Sequence, residues 1–437
     1  MRRICLVLPT NRPCAGTIAA VGREAVYAAR YFDVEVHLLI LDSARELDFA
    51  GHAKAVADLP LEPEIVAHHL GEADQRRFLR AAIERAGLAK PELMLDLMLP
   101  DAVSYGACTN RAFLIAAALG CTSVHRRDSD SSYQTLDGEE IFPIHHELMS
   151  LGRRAGEAAD GVTVNELGAA DADRPVALVG SSFIGELSVD IGEIQRLDPE
   201  VYHDVVGLWA PGDWTAEQRR DLVDESFKGA GAGPFATDHS VLTYADPMRL
   251  DMCNISFDRE VYERVPLLPA TDTIGSDYFL MHLVHDARLP GVVHNRNIVN
   301  YYTPERRTGP GFTAYQLRFA KFFLSMLYLN FIYARMAEAG SALLDAEHHV
   351  RPDAVAALAR RSTALEWAEN EWRLDVLDRS YRRLGGKYAA VADHISARRG
   401  LLLVEALADI EDFALLTEAW AALVRASRAT PVPEPGR

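Results

Sequence analysis

Two aspartates, Asp128 and Asp130, stand one residue apart, directly after a short apolar run and two arginines. Residues i and i+2 of an extended segment point to the same face, so the two carboxylates would repel each other unless a positive charge lies between them. A divalent cation with oxygen ligands is the natural candidate for that charge. A solvated Asp-Ser-Asp turn explains the same pattern, because Asp and Ser favour turns through local hydrogen bonds. The stretch alone leaves both interpretations open.

Three polar segments in the first third of the chain follow short apolar runs. Residues 4–8 run into a Pro-Thr-Asn-Arg-Pro loop, "VEVHLLILDS" reaches its polar end at Asp42, and "CTSVH" precedes the aspartate pair. Helical patterns separate these runs, and such alternation predicts a mostly parallel sheet with helices on its faces. Ligands of such sheets bind beyond the carboxyl ends of the strands. The three segments are therefore expected at one rim of the sheet.

The rest of the chain changes in composition. Residues 171–307 are richer in Gly, Pro and polar residues, and the pattern is helical from Phe312 onward. The segment 322–334 is apolar all round and is expected to be a buried helix. It falls short of the ~20 residues that a membrane span needs, so we expect no membrane span. The tail at residues 429–437 is predicted to be disordered.

Composition restricts the function classes. The chain has 437 residues, enough for two or three domains or for one large α/β domain with an appended helical part. Its hydrophobic fraction of 49% and charged fraction of 25% are typical of a globular protein. The net charge of -18 argues against nucleic acid and anionic membrane surfaces as partners, because both attract basic patches.

The cysteines and the N-terminus bear on the compartment. The five cysteines are scattered, without metal-ligand or redox spacing, which favours a reducing cytoplasm. The apolar run at the N-terminus is too short for a signal peptide and is predicted to be a strand. The excess of arginine over lysine, with abundant alanine, hints at a GC-rich bacterial genome.

Three segments, taken in order, resemble the GT-A-fold glycosyltransferases, especially the family 2 type. They are "LVLPTNRP", "GACTNRAFLIAAALGCTSVHRRDSDSSY" and "CNISFDREVYERVPLLPATDTIGSDYFLMHLVHDARLPG". In that family the first is a strand and loop that touch the nucleotide, the second leads to the DXD motif, and the third is an acceptor-side block. The resemblance covers roughly residues 4–305. The ordered set is more specific than any single block.

By this resemblance, Asp128 and Asp130 are the DXD motif and hold Mn²⁺ or Mg²⁺ on the diphosphate of a sugar-nucleotide donor. The leaving group is a nucleoside diphosphate, whose developing negative charge must be neutralised. His294 is the candidate for a third metal ligand. The family's usual register for that histidine falls nearer residues 300–302, and a lone His on a strand is more often structural.

The resemblance also implies which residues bind the nucleotide: Pro9, Thr10, Asn11, Arg12, Asp42, Asn110, Arg111 and Asp128. A turn or helix-cap role explains Asp42 nearly as well. The arginines at 111, 126 and 127 could contact phosphates, or they could pair with neighbouring carboxylates.

Asp277, in "GSDYF", matches the position of the family's catalytic base. A base is required because the acceptor hydroxyl must lose its proton as it attacks the anomeric carbon. Ser276 or Asp277 could equally cap the helix that follows, and serine stands at 276 where the family often has an acidic residue. The His145–His146 pair has no counterpart in the family. Adjacent helical residues point in different directions, which disfavours a metal site there.

The resemblance implies an α/β fold: a GT-A-like, Rossmann-type, mostly parallel sheet with helices on both faces, with a nucleotide-sugar-binding half at residues 1–170 and an acceptor-binding half at 171–310. The helical pattern of the later residues adds an α-helical C-terminal region at 311–428. The helical region could cover the acceptor site, form a homodimer or dock a partner.

The function implied is metal-dependent transfer of a sugar from a nucleotide-diphosphate sugar to a small-molecule or glycan acceptor. The family 2 likeness favours inversion. One alternative is a non-catalytic protein of the same fold that binds nucleotide-sugar or carbohydrate. A haloacid-dehalogenase-type phosphatase also uses Asp-x-Asp after a strand, but here His125, Arg126 and Arg127 intervene between the apolar run and the first aspartate.

Overall fold

A computed structural model describes residues 1–187, 191–231, 233–307 and 309–433. The strands are β1 Arg2–Thr10, β2 Val34–Asp42, β3 Ile65–Gly71, β4 Ser123–Arg127, β5 Ser131–Leu136, β6 Glu139–Ile141, β7 Val164–Asn165, β8 Leu178–Gly180, β9 Phe183–Gly185, β10 Ser240–Thr243, β11 Asn254–Asp258, β12 Gly291–His294 and β13 Ile298–Asn300. The helices are α1 Ala15–Tyr31, α2 Glu46–Ala57, α3 Glu72–Ala86, α4 Pro91–Met98, α5 Tyr105–Ala118, α6 Ile144–Ser150, α7 Ala155–Ala158, α8 Ile191–Leu197, α9 Pro199–Val206, α10 Ala216–Glu225, α11 Arg259–Tyr262, α12 Phe279–Asp286, α13 Gly309–Ala339, α14 Pro352–Ser362, α15 Ala368–Leu384 and α16 Gly386–Arg428.

Within these residues the main sheet has nine strands, in the order β3-β2-β1-β4-β11-β8-β12-β10-β7. Strands β1 to β4 run parallel to one another, and β12 runs parallel to β8. Strand β11 is antiparallel to both of its neighbours, β4 and β8. A smaller sheet has the order β6-β5-β13-β9. The main sheet is therefore mixed but mostly parallel.

Strand β1 shows why helices cover both faces of this sheet. Successive side chains of a strand point to opposite faces. Cys5 and Val7 belong to a core cluster that includes residues of α3, α4 and α5, whereas Ile4, Leu6 and Leu8 belong to a second cluster with α1 and α6. A strand buried on both faces reads as a continuous apolar run, as "ICLVL" does.

The C-terminal helices pack onto the same core. The 43-residue helix α16 buries Trp420, whose indole Nε1–H donates to the carbonyl oxygen of Tyr262 at 2.9 Å. The segment 322–334 lies inside α13, which is 31 residues long, and most of its side chains are buried. Within the described ranges, none of the helices combines the length and the apolarity that crossing a membrane requires.

The α/β class, the mostly parallel sheet and the helical C-terminal region predicted from the sequence are confirmed. The domain boundaries at 170, 310 and 428 stay predictions. Residues 434–437 of the predicted tail lie outside the described residues.

Gly106, near the start of α5, allows a close approach between two parts of the chain. A Cβ atom at this position would overlap the backbone carbonyl oxygen of Leu268 and lie 3.3 Å from that of Ser276. The Gly106 N–H donates to Ser276 Oγ at 3.3 Å. The missing side chain therefore lets the loop that carries Ser276 and Asp277 lie directly against α5.

We expect Gly106→Ala to destabilise the protein by about 1–3 kcal/mol, because a backbone atom cannot move aside as a flexible side chain can. Gly51→Ala is the matched control: Gly51 lies inside α2, and a Cβ atom there meets nothing within 4 Å. That change should stabilise by about 0.5–1 kcal/mol through helix propensity. Chemical denaturation measures the free energy of unfolding of both variants. Equal changes in that free energy would contradict the close approach of the Leu268 carbonyl to Gly106.

Candidate functional site

A cavity of about 470 Å³ lies beyond the carboxyl ends of β1, β2 and β4. Its walls also include the loop before α12, part of α13 and residues near the start of α5. The sequence-predicted residues that line it are Pro9, Thr10, Asn11, Arg12, Arg111, Asp128, Asp130 and Asp277. The other three predicted residues, Asp42, Asn110 and His294, are not part of the lining. The rim predicted from the strand ends thus coincides with a real cavity.

Arg126 joins two of the predicted carboxylates. Its Nη1 donates to Asp277 Oδ2 at 2.5 Å, and its Nη2 lies 3.0 Å from Asp128 Oδ1. The Arg126 and Asp277 side chains are almost completely buried, whereas 28% of the Asp128 side chain is exposed. Burial raises the pKa of Asp277, and the neighbouring Arg126 guanidinium opposes that rise. The ion pairs therefore bring together two carboxylates that lie far apart in the sequence.

Asp130 has a different pair of cationic partners. Its Oδ2 lies 3.0 Å from Arg12 Nη1 and 3.3 Å from Arg306 Nη2. Burial and the nearby Asp128 carboxylate raise the pKa of Asp130, while Arg12 and Arg306 oppose that rise. Arg306 was not found by the sequence analysis, because an arginine after a Tyr-Tyr-Thr-Pro stretch carries no signal of its own. The charge pairing between distant segments is visible only in the fold.

Arg127 faces the opposite side of β4 from Arg126, as strand alternation requires. It donates to both carboxylate oxygens of Glu24, at 3.0 and 2.7 Å, and to Glu147 at 3.1 Å. His125 also pairs with Glu147, at 2.6 Å. Burial alone would raise the pKa of Glu147, but Arg127 and His125 lower it to about 2. The sequence left open whether Arg127 contacts a phosphate or pairs with carboxylates. The structure shows pairing with carboxylates, but these belong to Glu24 and Glu147 and not to the adjacent aspartates.

Asp42 is buried among histidines at the end of β2. Its Oδ2 lies 2.7 Å from His52 Nδ1 and 2.8 Å from His69 Nε2, and its Oδ1 accepts the Ala44 N–H at 2.8 Å. Burial alone would raise the pKa of Asp42, but the bonds from His69, Ala44 and His52 hold it below its usual value. These contacts fit the turn role left open by the sequence. The predicted contact of Asp42 with a nucleotide stays a prediction.

Among the residues that the structure describes, Asp42, His52 and His69 form the one group of three ligand-type side chains close enough to share a metal ion. One carboxylate and two imidazoles suit a divalent transition metal. The same atoms, however, already bond to one another, and His52 Nε2 accepts the backbone N–H of Cys14 at 3.0 Å. Hydrogen bonding therefore accounts for this cluster without an ion.

His294 lies in a separate buried histidine pair. Its ring stacks on His146, with centroids 5.2 Å apart. Burial lowers the pKa of His294 well below its ordinary value, so the ring is neutral. His146 and Arg296 both contact Asp238, at 3.0 and 2.7 Å. The assignment of His294 as a metal ligand stays a prediction, and the structure does not bring it into the cavity that the two aspartates line.

Asn110 and Arg111 hold α5 in place. The Asn110 side chain forms two bonds with the backbone of Leu267, donating to its carbonyl oxygen at 2.9 Å and accepting its N–H at 2.8 Å. Arg111 donates to Gln75 and to the carbonyl oxygen of Met98, both at 2.7 Å.

Asp277 does not cap α12, because Tyr278 is the N-cap residue of that helix. The capping interpretation of Ser276 and Asp277 is therefore wrong.

The cavity offers the donor set that a hard divalent cation prefers. Asp128 and Asp130 both line it, and carboxylate oxygens are the usual protein ligands of Mg²⁺ and Mn²⁺. The exposed part of Asp128 leaves carboxylate oxygen reachable from the cavity. Three arginines, Arg12, Arg126 and Arg306, lie beside these carboxylates and could also meet the oxygens of a phosphate. The residues therefore fit a metal bound together with an anionic ligand.

The fold and the cavity define a mixed α/β protein with a charged site at the carboxyl ends of its parallel strands. A family of unknown function, DUF6271, matches residues 2–435, and the chain belongs to that family. No curated protein matches the chain. Among solved structures, the mannosyltransferase PcManGT from Pyrobaculum calidifontis, in complex with GDP-Man and Mn²⁺, is similar over 96% of this chain and 88% of that chain, with 12% sequence identity and a TM-score of 0.36. A likeness at that level carries no argument about this chain.

Removing Arg126 should leave the buried Asp277 carboxylate and the partly buried Asp128 carboxylate without this cation. We expect Arg126→Leu to lower the free energy of unfolding by roughly 3–5 kcal/mol. The second substitution in Arg126→Leu/Asp277→Asn removes one of the unpaired charges and should recover part of the loss. Arg23→Leu is the control, because the Arg23 side chain is 51% exposed where it pairs with Glu140, and such a surface pair should contribute less than about 1 kcal/mol. Denaturant titrations that give Arg126→Leu and Arg23→Leu equal losses would contradict the bridging role.

Proposed function

We propose that the protein is a metal-dependent glycosyltransferase, which moves a sugar from a nucleotide-diphosphate sugar to an acceptor hydroxyl. One observation carries this proposal. Asp128, Asp130 and Asp277 line the same cavity, and Arg126 contacts both Asp128 and Asp277, although Arg126 and Asp277 are 151 positions apart in the sequence. A diphosphate donor needs cationic groups and metal-binding carboxylates on one side of the reacting atom and a base on the other.

Asp128 and Asp130 hold the divalent cation, Mn²⁺ or Mg²⁺, in this proposal. When bound, the cation neutralises the charge that develops on the departing nucleoside diphosphate. Arg12 and Arg306, which contact Asp130, supply further positive charge next to the phosphates. The loop at residues 9–12 forms the adjoining wall and contacts the nucleotide.

Asp277 takes the proton from the acceptor hydroxyl as that oxygen attacks the anomeric carbon. Burial raises the pKa of this carboxyl, which makes the carboxylate a better proton acceptor than an exposed aspartate. The bond from Arg126 fixes the orientation of the carboxylate, and the contact between Arg126 and Asp128 sets its position relative to the donor. Attack from the side opposite the diphosphate gives inversion at the anomeric carbon.

The first test concerns the donor. Asp128→Asn and Asp130→Asn should each weaken Mn²⁺-dependent binding of GDP or UDP by roughly 100-fold or more, because each loses a charged metal ligand. Asp101→Asn is the control, since Asp101 also lines the cavity but belongs to neither ion-pair group. Isothermal titration with and without Mn²⁺ measures the affinities. Wild-type, metal-dependent affinity in both variants would place the donor site elsewhere.

The second test concerns the base. We expect Asp277→Asn to lower transfer by roughly 10²–10⁴-fold at saturating donor and acceptor, while nucleotide binding is retained. Asp272→Asn is the matched control, because its side chain lies in the same loop and is 61% exposed. Product formation is followed by mass spectrometry. Unchanged transfer in Asp277→Asn would remove this residue from the mechanism, and nucleotide binding by a wild-type protein that transfers no sugar would favour the non-catalytic alternative.

A further inference from the structure

The cavity extends far beyond the charged groups, along one face of α13. Tyr315, Phe322, Met326, Leu329 and Tyr333 all line it, and their spacing of 7, 4, 3 and 4 positions keeps them on one face of a helix. At 1.5 Å per residue, Tyr315 and Tyr333 lie about 27 Å apart along the helix axis. Tyr315 marks the charged end, because the Arg306 guanidinium lies 5.1 Å from the centre of its ring. The rest of the stripe leads away from Asp130.

Other segments complete this extension with apolar side chains. The Trp209 ring packs edge-on against Phe322, with centroids 5.5 Å apart, and lies 5.8 Å from Phe227. Further lining residues are Met248, Leu250, Met252 and Ile274. Asp251, which also lines the cavity, accepts the Tyr278 hydroxyl at 2.7 Å and lies close enough to Asp128 for the two carboxyls to interact. We call the part of the cavity bounded by Trp209, Phe227, Phe322, Met326, Leu329 and Tyr333 the apolar arm.

The apolar arm begins next to Asp277. Phe322 packs so closely against the loop before α12 that a Cβ atom on Gly275 would lie 2.9 Å from Phe322 Cε2. Gly275 precedes Asp277 by two positions and has a φ of 72°, a left-handed conformation that favours glycine. An acceptor that lies in the arm could therefore present one end of its structure to the carboxylate of Asp277.

The far end of the apolar arm carries a neutral polar group. The His282 ring stacks on Tyr333, with centroids 3.8 Å apart and planes 12° from parallel. Burial and the neighbouring His285 lower the pKa of His282 to about 3, so its imidazole is uncharged at neutral pH. Glu225 and Lys228 also line the cavity, but they are about half exposed and pair with each other at 3.1 Å. The charged groups of the buried walls are thus concentrated at the Asp128–Asp130 end.

We propose that the apolar arm binds the acceptor, and that the acceptor is an uncharged alcohol or phenol with an apolar, ring-containing body rather than a glycan. This inference rests on the proposed glycosyltransferase function. A glycan buried in the arm would lose water from many hydroxyl groups and find few partners, at a cost of roughly 1–3 kcal/mol for each unpaired group. An apolar ring gains contact with aromatic faces and removes apolar surface from water.

The test is binding of 2-naphthol, compared with methyl α-D-mannopyranoside as a polar ring of similar size, by isothermal titration without nucleotide. We expect one 2-naphthol per chain and much weaker binding of the sugar. Leu329→Ala and Met326→Ala should each weaken 2-naphthol binding by roughly 5- to 10-fold, because each removes apolar contact surface. Ala334→Ser is the control, since Ala334 is exposed on the same helix. Thermal melting verifies that each variant is folded, and the two substitutions test the same wall of the arm at two positions.

The outcomes separate this inference from the function on which it rests. Binding of 2-naphthol that both arm variants weaken, and that Ala334→Ser leaves unchanged, supports the apolar arm even if no nucleotide binds. Tighter binding of the sugar than of 2-naphthol overturns the inference, and so does 2-naphthol binding that neither folded arm variant weakens. If the wild-type protein binds 2-naphthol in this way but binds no nucleotide, the result counts against the proposed function and not against the apolar arm.

Discussion

The arrangement of the site depends on one buried ion-pair group, in which the Arg126 guanidinium lies between Asp128 and Asp277. An ionised carboxyl as deeply buried as that of Asp277 is costly unless a cation accompanies it. Arg126 supplies that cation from the end of β4, and its second guanidinium nitrogen, Nη2, contacts Asp128, the first aspartate of the Asp-Ser-Asp stretch. One side chain thereby couples the strand-end loop of the first part of the chain to the loop before α12. The close packing at Gly106 holds that second loop against α5.

Alternation along β4 explains why two adjacent arginines have unrelated partners. Arg126 points into the cavity, and Arg127 points to the other face, where Glu24, Glu147 and His125 enclose it. The strand thus places a buried charge on each of its faces, and each charge is balanced by carboxylates from other elements. The first group faces a cavity and is available to a ligand, whereas the second is fully enclosed and fixes α1 and α6 against the sheet.

The local sequence was sufficient to predict the fold class and the edge of the sheet at which the cavity lies. Apolar runs separated by helical patterns predict a parallel sheet, and the polar residues at the strand ends meet at one rim because parallel strands end on the same side. The same reasoning could not predict which side chains turn into the cavity. Asp42 ends strand β2 and Asp128 directly follows strand β4, yet His52 and His69 surround Asp42, and those contacts depend on how α2 and β3 fold back. Arg306 and the cavity-facing stripe of α13 depend on packing between distant segments, which periodicity alone does not describe.

The central claim is that a divalent cation and a nucleoside diphosphate bind together at Asp128 and Asp130. Anomalous X-ray scattering from crystals grown with Mn²⁺ and GDP, and separately with Mn²⁺ and UDP, would locate the ion directly. The account predicts a manganese peak within coordination distance of the carboxylate oxygens of Asp128 or Asp130, with diphosphate oxygens on its other side and the arginines beside them. Manganese found only among Asp42, His52 and His69, with no ion at the two aspartates, would contradict the account.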